Sequence, residues 1–354
     1  MVNYPNIQLV CFFHYSRVSL RPVTVLLYNF TDIECSKCGF SILEVFVKNY
    51  IKIARPDHWI KNLFIVPGVA VAFLIIGVPS VPELIVRFII GFFATCMIAS
   101  ANYVINEWLD AEFDKYHPTK KYRPVVSENM KFSIVMVEYV VLAAIGILLS
   151  LLINRAFLYT EIWLLVMGIL YNVKPIRTKD IPFLDVISES LNNMIRLLLG
   201  WFIVTATSLP PGSIMLGYWM GGAFLMGIKR FAEYRMINDP ETAGLYRKSF
   251  ARYNERTLLC SSMFYAFCST FCMGIFLIKY RTEYVLAMPL VFFLFVYYLY
   301  IAFKDDSAVQ KPEKLYKEKK LMLFVLLIIV VFVILTLADI PVLTMFQNPF
   351  LIEF

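Results

Sequence analysis

The chain has 354 residues, of which 60% are hydrophobic and only 17% charged, and its mean hydropathy is +0.69. A soluble domain carries about 25% charged and about 45–50% apolar residues, so an ordinary water-soluble globule is excluded and a lipid-facing surface is expected. The net charge of +7 does not point to nucleic acid, because the basic residues fall in the gaps between apolar segments, where membrane topology accounts for them.

Residues 1–50 are mixed in character, contain cysteines and aromatics, and show no clear pattern or cleavable signal sequence. They are set apart as an N-terminal extension, either a loosely folded segment or the product of an upstream start of the reading frame. Cys35 and Cys38 form the chain's one close cysteine pair, half a zinc site at most, and no second pair completes it. Residues 48–61 read as an amphipathic lead-in at the membrane surface. Residues 51–354 read as one membrane domain. A spanning helix needs about 20 mostly apolar residues, and nine segments qualify: 63–79, 84–105, 133–153, 157–171, 183–208, 214–228, 257–278, 284–303 and 321–338. The expected fold is therefore an all-α bundle of nine transmembrane helices. Of the 33 Lys and Arg residues, only Arg87, Arg155, Arg196, Lys279 and Arg281 fall outside the N-terminal segment and alternate loops. That bias places the N-terminus and those loops in the cytoplasm, in a multi-pass protein of the inner membrane.

The first polar cluster closes the second predicted span. Asn106, Asp110 and Asp114 lie at i, i+4 and i+8. They drift by only about 40° per step, so they share one helix face. Oxygen ligands on one face suit Mg²⁺, which takes a few carboxylates and completes its shell with phosphate oxygens. The loop that follows carries Lys120 and Arg123, which suit phosphate oxygens, although a positive-inside anchor explains them equally well. On the same predicted side, Tyr171 and Lys179 lead into Asp185, Glu189, Asn193 and Arg196, spaced 4, 4 and 3 along an otherwise apolar helix. Such a stripe faces the bundle interior, because charge against lipid is expensive. It serves either a site or a structural Glu189–Arg196 network. Lys229, Arg230 and Glu233 close the sixth predicted span. They form either a third part of the same site or a cationic helix end favoured by the dipole.

Together these motifs resemble the UbiA prenyltransferase family. Asn106-x3-Asp110-x3-Asp114, followed by His-Pro-Thr-Lys and Arg123-Pro124, is similar to that family's first aspartate motif, and Asp185-x3-Glu189 to its second. The resemblance runs from Arg55-Pro56 to near the end of the chain. It implies a diphosphate held through Mg²⁺ by Asn106, Asp110, Asp114, Asp185 and Glu189 in a membrane-embedded cavity. It implies catalytic roles for Asp110, Asp114, Lys179 and Asp185. It implies substrate contacts from Lys61, Asn62, Lys120, Arg123, Tyr171, Arg196, Lys229, Arg230 and Glu233.

Within the family, the run from Arg55 to Asn62, the His117-Pro-Thr-Lys loop, the stretch from Gly227 to Glu233, and Arg247-Lys248-Ser249 with Tyr253 are similar to decaprenyl-phosphate phosphoribosyltransferases. That likeness implies a polyprenyl phosphate lipid and a phosphoribosyl diphosphate co-substrate. Three features depart from it. Glu107 stands where Asp is usual, Ser127-Glu128 replaces a small-Gly pair, and 179–185 reads more like branches that prenylate rings or polyenes. Prenyl transfer from an isoprenyl diphosphate to an aromatic or other lipophilic acceptor therefore stays open. So does a different class, a transporter of an anionic substrate, which would also explain many spans and intramembrane charges.

Overall fold

A computed structural model describes residues 47–346, apart from 78–79, 129, 305–306 and 311. The expectations for the N-terminal extension and for Cys35 and Cys38 thus lie outside the described residues. Residues Tyr50–Phe354 cluster as one compact unit, and every regular element among the described residues is helical.

A 3₁₀ stretch, Pro56–Ile65, runs into α1, Val66–Ile76. There follow α2, Val81–Asp114; α3, Phe132–Leu151; and α4, Arg155–Asn172. The bundle continues with α5, Leu184–Val204; α6, Gly212–Ile237; and α7, Glu255–Tyr280. It ends with α8, Met288–Ala302, and α9, Lys319–Leu337. Proline in the first turn opens α1, α2 and α8, where its missing N–H costs nothing and its fixed φ suits the helix. Asn154 caps α4 by accepting from the Phe157 amide at 2.8 Å, and Asn254 caps α7 in a reciprocal box with Thr257.

Six segments among the described residues are long and apolar enough to cross a membrane: Val47–Ile76, Val81–Asp114, Phe132–Leu151, Glu255–Tyr280, Thr282–Ala302 and Lys319–Leu337. The stretch expected to lie along the surface, 48–61, thus belongs to a continuous apolar segment that includes α1. The other three expected spans are helices, α4, α5 and α6, but fall short by that measure. The reason is the polar cargo they carry, Glu161 in α4, Asp185, Glu189 and Arg196 in α5, and Lys229, Arg230 and Glu233 in α6.

The outward faces are apolar, as lipid requires: Val137, Val141 and Leu148 on α3, Phe264, Phe267 and Phe271 on α7, and Leu323, Val330 and Leu337 on α9 are all exposed. In contrast α5 is central. Every residue from Met194 to Val204 is buried, packed by α1, α2, α4 and α6. The backbones of α1 and α5 meet at glycine. A Cβ on Gly68 would lie 2.0 Å from the Leu197 carbonyl oxygen, and one on Gly200 2.0 Å from that of Ile65. Such close approach supplies the packing that membrane helices rely on. It also sets the 3₁₀ stretch against α5, so that Asn62 reaches Arg196. Finally, α2 has 34 residues, about 51 Å at 1.5 Å per residue, which exceeds the roughly 30 Å apolar core of a bilayer. Its last turns carry the acidic face past the apolar stretch without a break.

The glycine crossing gives a stability test. Gly200→Ala must push backbone apart and is expected to destabilise the detergent-solubilised protein by about 1–3 kcal/mol, the usual cost of overpacking. Gly212→Ala, with open space around its Cβ position, is expected to melt within a degree or two of wild type. Equal melting of the two variants would contradict the crossing.

Candidate active site

A cavity of about 600 Å³ opens among α2, α4, α5, α6, α8, α9 and the Pro56–Ile65 stretch. One end is apolar, with Leu63, Phe64, Leu164, Leu225, Met226, Met322 and Val325. The other end is charged. Its wall carries Arg55, Lys61, Lys120, Arg123, Arg196, Lys229, Arg230 and Arg247 against Asp110, Asp114 and Glu189. Asn106 and Tyr171 also face it.

The carboxylates sit among cations contributed by other elements. Asp110 Oδ1 accepts from Lys179 Nζ at 2.5 Å and from Arg177 Nη2 at 3.0 Å. Arg123 donates to Asp114. In α5, Glu189 accepts from Tyr171 Oη at 2.7 Å and from Arg230. Arg230 also donates through Nη1 to Glu233 Oε2 at 3.0 Å. Glu233 Oε1 takes the Lys120 ammonium at 2.6 Å, and Lys120 also donates to the Tyr246 hydroxyl. These contacts tie the three sequence clusters into one charged pole. Arg196 Nε donates to Asn62 Oδ1 at 3.0 Å, and Asn62 in turn donates to Cys96 Sγ at 3.2 Å. The Glu189–Arg196 network that the spacing allowed is replaced by these two separate sets of partners.

Three loop groups titrate away from their usual range. Burial, reinforced by Arg177, pulls the Lys179 ammonium down to about 8 despite the Asp110 carboxylate beside it. For Lys120 the burial penalty is outweighed by Glu233 and Tyr246, which hold it charged above the ordinary lysine value. Burial is likewise outweighed for Arg247, by Tyr171, Tyr246 and Asp185. Both Arg55 and Arg177 adopt left-handed backbone, with φ 51° and 32°, which costs about 1–3 kcal/mol at a residue other than glycine. Each holds a carboxylate: Arg55 Nη2 lies 2.6 Å from Glu107 Oε2, and Arg177 meets Asp110.

Of the expected residues, Asn106, Asp110, Asp114, Glu189, Lys61, Lys120, Arg123, Tyr171, Arg196, Lys229 and Arg230 line the cavity. Four do not. Lys179 stands behind Asp110, bonded also to Asn172 Oδ1 at 2.7 Å. Asn62 supports Arg196. Glu233 faces an adjoining cavity. Asp185 is fully buried, held by Tyr253 Oη at 2.7 Å, Ser249 Oγ at 3.1 Å and Arg247 Nη1 at 3.5 Å. It ties α5 to the 247–253 loop and is not among the residues that line the cavity. Arg55, His58, Tyr246 and Arg247 line the cavity without having been singled out as site residues. Arg55 and Arg247 lie in runs whose likeness to the family was visible, but no spacing rule assigns them a role.

The family model for "UbiA prenyltransferase family" matches residues 65–328. The chain belongs to the UbiA prenyltransferase family. Among curated relatives of this UbiA member, a decaprenyl-phosphate phosphoribosyltransferase of Corynebacterium glutamicum is 26% identical over 224 residues, 59% of this chain and 60% of that protein. One from Mycolicibacterium smegmatis is 27% identical over 217 residues, 60% of this chain and 64% of that protein. The match thus spans less than two thirds of these relatives' length. A UbiA homologue from Archaeoglobus fulgidus, solved bound to GPP and Mg²⁺, shares the fold with a TM-score of 0.60, over 80% of this chain and 99% of that one, at 18% identity.

Among the described residues no three His, Cys, Asp or Glu side chains gather as a ready metal cage. Mg²⁺ does not require one. It takes one or two carboxylates and fills its octahedron with water and substrate phosphate oxygens. Asn106, Asp110 and Asp114 from α2 and Glu189 from α5 offer oxygen donors to one cavity, and this set fits. Asp110→Asn and Asp114→Asn are expected to lower transferase turnover about 10²-fold or more, the scale of losing an electrostatic stabiliser, while the proteins stay monodisperse in detergent. Near wild-type turnover in both would show that these carboxylates hold no part of the diphosphate.

Proposed function

We propose that this UbiA family member transfers phosphoribose from phosphoribosyl diphosphate to a polyprenyl phosphate. The observation that carries the reading is the cationic excess of the charged pole. Eight cationic side chains and three carboxylates line the cavity, and counting Glu107, Asp185 and Glu233, which pair with those cations from behind the wall, still leaves more cations than carboxylates. An isoprenyl diphosphate brings one diphosphate, and its ring or polyene acceptor brings no charge. A phosphoribosyl donor brings a diphosphate and a phosphomonoester, and the lipid acceptor brings another phosphate. That greater anionic load matches the cationic excess. The names of the two bacterial relatives agree with it.

The lipid chain lies along the apolar end, between α6, α8 and α9, and its phosphate reaches the charged pole. There an oxygen of the lipid phosphate attacks the ribose anomeric carbon. The bond from that carbon to the diphosphate breaks, and the electron pair leaves with the diphosphate. Asn106, Asp110, Asp114 and Glu189 would hold Mg²⁺, which would supply charge screening for that leaving group. Lys229, which makes no ion pair among the described residues, is available to a phosphate oxygen. Arg230 and Arg247 are positioned on either side of Tyr171 Oη, at 3.2 and 3.4 Å, and hold the same region positive. Lys179 and Arg177 fix the rotamer of Asp110. The polar pole faces the cytoplasm, where the basic loops lie by the positive-inside bias and where a phosphorylated sugar is available.

Membranes containing the protein, given labelled phosphoribosyl diphosphate and polyprenyl phosphate with Mg²⁺, are expected to yield labelled lipid. Lys229→Ala and Arg230→Ala should raise KM for the donor at least 10-fold. A protein that instead prenylates 4-hydroxybenzoate from an isoprenyl diphosphate, and ignores phosphoribosyl diphosphate, overturns the proposal and leaves only the family assignment.

A further inference from the structure

A second cavity, of about 370 Å³, adjoins the first on the side of the Asp114–Arg123 loop. Arg55, His58, Lys61, Lys120, Arg123 and Lys229 face both cavities and form the partition between them. Beyond the partition the second cavity has no apolar end: Lys52, Asp57, Glu107, His117, Thr119 and Glu233 line it, with Met236, Pro124 and Gln310 at its edge. It therefore suits a small hydrophilic group and excludes a lipid chain. Its carboxylates are partly spoken for, since Glu107 Oε2 pairs with Arg55 at 2.6 Å and Glu233 Oε1 with Lys120 at 2.6 Å. Glu107 Oε1, however, accepts no hydrogen bond among the described residues, although Glu107 is 2% exposed. An unmet buried carboxylate oxygen costs free energy unless a donor arrives. A donor on the ligand, such as a sugar hydroxyl, satisfies it, while the cations of the partition satisfy a phosphate.

We propose that this second cavity binds the phosphorylated-sugar portion of the water-soluble co-substrate, with Glu107 Oε1 accepting from a ring hydroxyl and Arg55, Lys61, Arg123 and Lys229 holding its terminal phosphate. The assignment rests on the phosphoribosyl reading of the first cavity. It explains how two anionic substrates share one pole: the lipid enters through the apolar cavity, the sugar phosphate through the polar one, and they meet at the partition. Glu107 is then a specificity determinant for a hydroxylated donor.

Ribose 5-phosphate is the probe, titrated calorimetrically into the purified full-length protein. Wild type is expected to bind it. Met236→Trp fills a cavity edge that the lipid cavity does not share, and should weaken binding at least 10-fold while polyprenyl phosphate still binds as in wild type. Thr119→Glu, in the exposed loop, brings a repelling carboxylate without disturbing a helix and should give a similar loss. Absence of binding to wild type, or equal binding by wild type and Thr119→Glu, overturns the proposal. A protein that binds ribose 5-phosphate here yet forms no phosphoribosyl lipid refutes the transfer reaction and keeps the cavity assignment. One that forms the lipid but binds the probe equally in both variants refutes the cavity assignment alone.

Discussion

Charge removed from water must be answered by opposite charge or by hydrogen bonds, and in a membrane bundle this rule organises everything around the cavity. Arg230 is the clearest case. Fully buried, it reaches Glu189 on α5 and Glu233 on its own helix, with Asp185 3.6 Å away. Asp110 at the end of α2 does the same in reverse, gathering Lys179 and Arg177 from the α4–α5 connection. These pairs fix where α2, α5 and α6 stand at the polar end, and the glycine contact between α1 and α5 fixes them deeper in the bundle. Once the carboxylates are matched, cationic side chains remain on the cavity wall. An anion completes the balance, so the protein's ion pairing and its ligand preference follow from one constraint.

That constraint also separates what was legible in the sequence from what was not. The face shared by Asn106, Asp110 and Asp114 follows from helix period alone, and all three line one cavity. The interior orientation of the α5 stripe followed from the cost of exposing charge to lipid. The partners within the stripe did not follow. Glu189 and Arg196, a natural pair by spacing, go to Arg230 and Asn62, which come from distant segments. Asp185 has the right spacing to join Glu189 but points to Tyr253 and Ser249. Periodicity reports which face a residue occupies and says nothing of a loop such as 247–253 that folds back over it. The span count shows the same limit from the other direction. Helices α5 and α6 bring charges to the polar pole and those charges lower their apolar signal, whereas in α4 the buried carboxyl group, Glu161, accepts from Thr95 and does not line the cavity.

Cavity shape divides the labour between solvents. On the proposed reading, the apolar part of the first cavity takes a chain from the bilayer and the second cavity takes a group from water. The left-handed Arg55 lies on the partition between them, whereas the left-handed Arg177 pairs with Asp110 and lines neither cavity. Their backbone strain is offset by ion pairs to Glu107 and Asp110.

The central claim is that the charged pole breaks a bond to diphosphate, and does not merely pass an anion across the membrane. The most direct measurement uses sealed vesicles containing the purified protein, with Mg²⁺, phosphoribosyl diphosphate and polyprenyl phosphate, and follows released pyrophosphate alongside the label inside and outside. The account predicts pyrophosphate release that requires both substrates, with label passing into the lipid. Label crossing the vesicle membrane intact, with no pyrophosphate released, would contradict it.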